Sequence, residues 1–236
     1  MIEKSPTKLA FLGLGVMGYP MAGHLAKAGY SVTAYNRTTA KSKAWVAEHG
    51  GSLGQTPAEA ARGAEVVMAC VGNDDDLRSV CLGPDGAFSM MSEGSTFVDH
   101  TTVSAAVTAE LHVAAKARGI AFVDAPVSGG QAGAEGGQLS IMCGGSPADY
   151  DRIEPVINTY AKLCRRIGES GAGQLTKMCN QIAIAGLVQG LSEALHFASK
   201  AELDGASVVE VISQGAAGSW QMSNRYQTML DDQFDH

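Results

Sequence analysis

The chain alternates short apolar runs with amphipathic stretches over most of its length. Runs at residues 9–12, 31–35, 65–71, 96–99, 121–124, 139–143 and 163–167 are short and mostly apolar. Such runs, bounded by turn residues, predict strands. The segments 17–28, 40–49, 57–62, 75–81, 105–118 and 147–160 carry apolar residues at helical spacing. Strand and helix in alternation predict an α/β fold, a mostly parallel sheet with helices on both faces. After Gly168 the pattern changes. Gly171-Ala172-Gly173 leads into one long helix over 174–201, whose middle, 182–191, is apolar nearly all round. A helix of that kind needs cover on more than one side. Gly186 and Gly190 share a face and permit close helix contact. A further helix is expected at 206–214. The reading therefore places one domain at 1–168, and the long interdomain helix with the start of an all-α domain at 169–236.

Directly after the first apolar run comes Gly13-Leu14-Gly15-Val16-Met17-Gly18. A strand before these glycines and a helix after them make a Rossmann-type dinucleotide fingerprint. Gly13 allows the tight turn, Gly15 lets backbone approach a pyrophosphate, and Gly18 lets the helix pack close to the sheet. The helix start adds free N–H groups and the positive end of its dipole. A site tuned to NAD usually carries a carboxylate at the end of the second strand. Here that strand ends Tyr35-Asn36-Arg37-Thr38. Arg37 offers a charge-assisted fork to a 2′-phosphate, and Asn36 and Thr38 add neutral hydrogen bonds. The expected cofactor is NADP, with NAD as second choice.

Composition narrows the partners. With 236 residues, 45% of them hydrophobic, the chain has room for a core and a smaller second domain. The net charge of −7 argues against nucleic acid or an anionic membrane as main partner. Local cations must then hold an anionic ligand. No stretch has 18 unbroken apolar residues, and no signal-peptide pattern opens the chain, so the expectation is a cytoplasmic protein without a membrane span. Five cysteines without a C-x-x-C pair point to reduced thiols. The six histidines lack ligand spacing, and no metal site is expected.

Three later segments fall beyond the carboxyl ends of strands, where such sheets expose ligands. Asp99-His100-Thr101-Thr102 brings hydroxyls that suit either a nicotinamide carboxamide or a helix cap. Ser128-Gly129-Gly130 combines a hydroxyl with backbone N–H groups, which suits a carboxylate or simply a flexible loop. Lys177, Asn180 and Gln181 share one helix face at i, i+3 and i+4. A single helix lysine is more commonly solvated, but one entering an apolar stretch beside two amides also suits a polar cleft.

With these four motifs in this order, the chain resembles the β-hydroxyacid dehydrogenase family, which includes 3-hydroxyisobutyrate dehydrogenases and tartronate, glyoxylate and succinic semialdehyde reductases. The resemblance spans essentially the whole chain. It rests on residues 13–21, on Asp99-His100-Thr101-Thr102, on residues 124–130, and on Gly171-Ala172-Gly173 followed by Lys177-Met178-Cys179-Asn180-Gln181. The resemblance implies that Val71 and Thr102 meet the cofactor and that Ser128, Gly129 and Gly130 bind the substrate carboxylate. It implies that Lys177 is catalytic, with Asn180 orienting substrate and Gln181 beside it. Thr101 stands where the family commonly has Ser. Members usually continue beyond the position of His236, so the helical domain is expected to be incomplete here, and a homodimer or tetramer is expected where it is complete.

The implied activity is an NADP-dependent oxidoreductase that interconverts a small hydroxy acid and its semialdehyde, with Lys177 as general acid and base. Two rivals use the same scaffold: an imine reductase and a non-catalytic NADP-binding protein. Lys177 with Asn180 argues against both.

Overall fold

The first strand, β1 (Lys8–Leu12), shows why the sheet is covered on both faces. Leu9 and Phe11 enter one apolar cluster, and Ala10 and Leu12 enter another, as the two-residue period of a strand requires. The computed structural model describes residues 7–234. They divide after Lys177 into two compact units.

In the first unit, β1 is followed by α1 (Gly18–Lys27), β2 (Ser31–Tyr35), α2 (Thr39–His49), β3 (Ser52–Leu53), α3 (Pro57–Ala61), β4 (Val66–Ala69), α4 (Asp74–Leu82), β5 (Thr96–Asp99), α5 (Ala105–Lys116) and β6 (Ala121–Asp124). The chain then returns through β7 (Val127–Ser128), α6 (Gly130–Glu135), β8 (Leu139–Gly144), α7 (Pro147–Ile157) and β9 (Ala161–Gly168). Strands β3-β2-β1-β4-β5-β6 are parallel neighbours in that order. Helix starts follow side-chain chemistry. Thr56, Asn73, Ser104 and Ser146 each accept a backbone N–H of the first turn, and Pro57 and Pro147 follow their caps.

The sheet is not parallel throughout. β8 runs antiparallel to β6 and β7, with Asp124 opposite Gly144 and Val127 opposite Ile141, and parallel to β9. The link from β7 to β8 is too short for a parallel crossover, which needs a dozen or more residues. Periodicity also missed β3, β7 and α6, each too short to show a period. The glycine-rich stretch after Ser128, which suited a loop, opens into α6.

The buried Trp45 anchors α2. It is fully enclosed, and its indole Nε1 donates to the Tyr19 carbonyl at 3.1 Å. Cys81 and Cys143 are buried, Cys70 and Cys164 half-buried, and Cys179 exposed; all five are free thiols. Cys143 and Cys164 bring their sulfurs to 3.5 Å across β8 and β9.

The long helix α8 (Ala172–Lys200) starts in the first unit and continues into the second. In the second unit, its Leu191 and Leu195 pack with Val209 of α9 (Gly205–Ile212) and Met222 of α10 (Trp220–Leu230). α10 had no counterpart in the sequence reading. The cover expected around residues 182–191 is partial among the described residues, where Ile182 and Leu187 are exposed. Among those residues α8 is the one helix long and apolar enough to cross a membrane, by length and composition alone. Its first turns carry the buried polar side chains Gln174 and Lys177, packed within the first unit.

Trp45→Ala removes the largest fully buried side chain and a hydrogen bond. Urea unfolding is expected to show a loss of about 3–5 kcal/mol.

Candidate active site at the carboxyl ends of the strands

The glycine turn is built by three different constraints. Gly13 has φ +100°, donates its N–H to Tyr35 O at 2.8 Å, and has no room for a Cβ against the Cys70 carbonyl. A Cβ on Gly18 would collide with the Gly13 carbonyl oxygen. Gly15 differs from both. It is exposed, its φ lies outside the left-handed region, and no atom lies within 4 Å of where its Cβ would be. Packing explains Gly13 and Gly18. Only space for something outside the chain explains Gly15, and it lines a cleft of about 380 Å³. The residues present thus fit a dinucleotide whose pyrophosphate passes close to backbone.

Leu14 and Asn36 serve the turn itself. The Leu14 side chain is buried in the core, and its N–H donates to Asn36 Oδ1 at 2.9 Å. Asn36 Nδ2 donates to Thr38 O at 3.2 Å. The Asn36 amide thus joins the glycine turn to the end of β2, and Asn36 also lines the cleft. Val16 is exposed and Met17 half-buried at the cleft.

Arg37 and the exposed Thr38 line the same cleft. Two further charged residues there went unpredicted. Lys41 adds a second cation from the first turn of α2. A lysine in a first turn opposes the helix dipole, and that was its available signal. Asp76, from α4, accepts from Arg37 Nη1 at 2.7 Å. The Arg37 side chain is 83% exposed, so the pair contributes little to stability. It does place a carboxylate where the end of β2 offered none.

Beyond β4 and β5, most polar groups hold the framework. The Val71 N–H donates to Thr101 Oγ1 at 3.2 Å. Asp99 is fully buried and accepts the Thr101 N–H at 2.9 Å; burial pushes its carboxyl up to about 7. His100 lies 2.7 Å from the Ala125 carbonyl and 2.9 Å from the Tyr160 hydroxyl. Burial brings it down to about 4. The ring is then neutral near pH 7, with Nδ1–H donating to Ala125 and Nε2 accepting from Tyr160. Thr102, which follows the buried Thr101, is exposed. The helix cap that this segment also suited belongs to Ser104.

Asp124, at the end of β6, positions the next group. Its Oδ1 accepts the Gly171 N–H at 2.6 Å and its Oδ2 accepts the Gln174 N–H at 2.8 Å. These are free N–H groups at the start of α8. Lys177, one turn on from Gln174, is 8% exposed, and its Nζ donates to the Val127 carbonyl at 2.9 Å. Burial lowers its pKa, because the charged form loses solvent. Lys177 thus sits against the residue preceding half-buried Ser128. Gly129 and Gly130 follow with φ +139° and +62°. The fold brings Lys177 and residues 128–130 together. Asn180 and Gln181 lie in the second unit, where Asn180 Nδ2 donates to Gln181 Oε1 at 3.1 Å.

The glycines separate folding from binding. Gly18→Ala is expected to lower the melting temperature and abolish dinucleotide binding. Gly15→Ala is expected to keep the wild-type melting temperature and weaken NADPH binding about tenfold or more, since a methyl there meets only ligand. Thermal melts and fluorescence titration read both.

A family model described as the NAD binding domain of 6-phosphogluconate dehydrogenase matches residues 8–168. A second, described as NAD-binding of NADP-dependent 3-hydroxyisobutyrate dehydrogenase, matches residues 171–236. An uncharacterized oxidoreductase of Shewanella frigidimarina is 58% identical over 97% of this chain and 78% of its own length. The 3-hydroxyisobutyrate dehydrogenase of Pseudomonas aeruginosa is 35% identical over 92% of this chain and 72% of its own. The structure of Mycobacterium tuberculosis 3-hydroxyisobutyrate dehydrogenase with L-serine superposes with a TM-score of 0.84 at 30% identity, covering 94% of this chain and 74% of that one. With its Rossmann-type sheet, its glycine turn and these relatives, the chain belongs to the β-hydroxyacid dehydrogenase family of NAD(P)-dependent oxidoreductases.

Proposed function

We propose that the protein catalyses reversible, NADP-dependent hydride transfer on a small carboxylate-bearing aldehyde or hydroxy acid, with Lys177 as general acid and base. The observation that carries this reading is the buried Lys177, its Nζ on the Val127 carbonyl beside Ser128. When bound, the nicotinamide supplies or accepts the hydride. The remaining steps fall to side chains of this chain.

In reduction the Lys177 ammonium bonds the carbonyl oxygen and gives it a proton as charge develops there. In oxidation neutral Lys177 takes the hydroxyl proton. Nζ has three donors, and the Val127 carbonyl uses one. Ser128, with the backbone of Gly129 and Gly130, holds the substrate carboxylate, and Thr102 contacts the nicotinamide end. Arg37 and Lys41 hold the 2′-phosphate. Asp76 opposes it by occupying one edge of Arg37. Lys177 favours this reading over a binding protein of the same fold.

The deciding assay is consumption of NADPH and NADH with glyoxylate, succinic semialdehyde, tartronate semialdehyde and methylmalonate semialdehyde. Turnover of at least one supports the reading; no turnover of any returns the chain to a binding role. Lys177→Ala is expected to lower kcat by about 10²–10⁴-fold, the range for a lost acid or base, with NADPH binding kept. In the wild type, reduction needs the ammonium, so its rate falls as pH rises through the lowered pKa of Lys177. Oxidation needs the amine, so its rate rises over the same interval. An active Lys177→Ala enzyme overturns this role.

Cofactor choice has its own test. Arg37→Ala is expected to raise the KM for NADPH about tenfold, one lost charge-assisted contact, while changing that for NADH little. Asp76→Asn is expected to move preference toward NADPH. Steady-state kinetics with both cofactors measures this, and a wild-type preference for NADH contradicts the assignment.

A further inference from the structure

Gln174 is buried, 1% exposed, on the first turns of α8. Its side chain does not serve its own helix. Nε2 donates to the Thr101 carbonyl at 2.6 Å, and Oε1 accepts the Val103 N–H at a longer 3.4 Å. One amide therefore grips the backbone on both sides of Thr102, the exposed residue of that loop. The Gln174 backbone N–H is held by Asp124 Oδ2 at 2.8 Å. Three segments meet at this residue: the end of β6, the loop after β5 and the start of α8.

We infer that Gln174 is a positioning residue that holds Thr102 in register with Lys177. The inference rests on the roles given to Lys177 and Thr102 above. Gln174 and Lys177 are three apart, on one face of the helix. The same helical turn thus fixes the proton-transfer group and, through the amide, the loop assigned to the nicotinamide end. A buried amide is costly to desolvate unless both ends are bonded. An apolar residue would fill this space at lower cost but leave the Thr101 carbonyl and Val103 N–H unpaired. Hydride transfer is sensitive to relative placement, and a misplacement near 1 Å can cost about 100-fold.

The test uses Gln174→Met, which keeps the side-chain length and removes both bonds, and Gln174→Asn, which keeps the amide on a shorter arm. Each is combined with Thr102→Ala. The assay follows single-turnover oxidation of NADPH, and of NADPH deuterated at the transferred position, with the aldehyde turned over fastest in the panel above. Gln174→Met is expected to slow hydride transfer about 10- to 100-fold, with NADPH affinity within about threefold of wild type. In steady-state turnover with the same two cofactors, the isotope effect on kcat is expected to rise as the hydride step becomes limiting. In the Thr102→Ala background the added loss from Gln174→Met is expected to shrink, because both changes break one arrangement. Should the Met variant fail to fold, Gln174→Asn carries the same measurements with a smaller loss.

An unchanged hydride rate, or losses that simply multiply in the double variants, would overturn the inference and leave Gln174 as a core amide. A lower melting temperature with wild-type rate and isotope effect does the same. The reading of Lys177 fails separately, through an active Lys177→Ala enzyme, and that result leaves the Gln174–Thr102 cycle measurable.

Discussion

A buried carboxylate at the end of β6 holds the start of the longest helix. Asp124 takes the N–H groups of Gly171 and Gln174, which would otherwise be free donors inside the protein. Burial pushes this carboxyl above the usual range even against its N–H donors. Because α8 begins there, Gln174 reaches the Thr101–Val103 loop and Lys177 reaches the Val127 carbonyl. The placement of Gln174 and Lys177 thus depends on this cap.

The cofactor end obeys a different constraint. The chain is acidic, with net charge −7, so an anionic ligand must be held by local groups. The cleft offers Arg37, Lys41 and the glycine turn, and sets Asp76 against them. Its shape follows from close approach: Gly13 and Gly18 let backbone pass backbone, while Gly15 leaves room for a ligand.

The fold was largely legible. The strands around residues 9, 66, 96 and 121 stood out because a strand buried on both faces is a mostly apolar run. What escaped was short or turned back on itself: β3, β7, α6 and the antiparallel return of β8. The α10 helix (Trp220–Leu230) escaped too, although it is amphipathic and buries Met222. In the site, motif spacing pointed to residues 13–18, 128–130 and Lys177. It did not point to Gln174 or Asp76. Nor did it show that the Asn36 amide braces the glycine turn.

Local pattern decided the elements, the dinucleotide turn and the family, because periodicity and glycine chemistry act over a few neighbouring residues. Tertiary structure alone decided who meets whom. Arg37 and Asp76 are 39 residues apart, and Gln174 and Thr101 are 73 apart. A hydrogen bond between such groups leaves no local trace, since each residue taken singly suits a helix surface or a loop. Only the packing of α4 and α8 against the carboxyl ends of the strands brings the partners within reach.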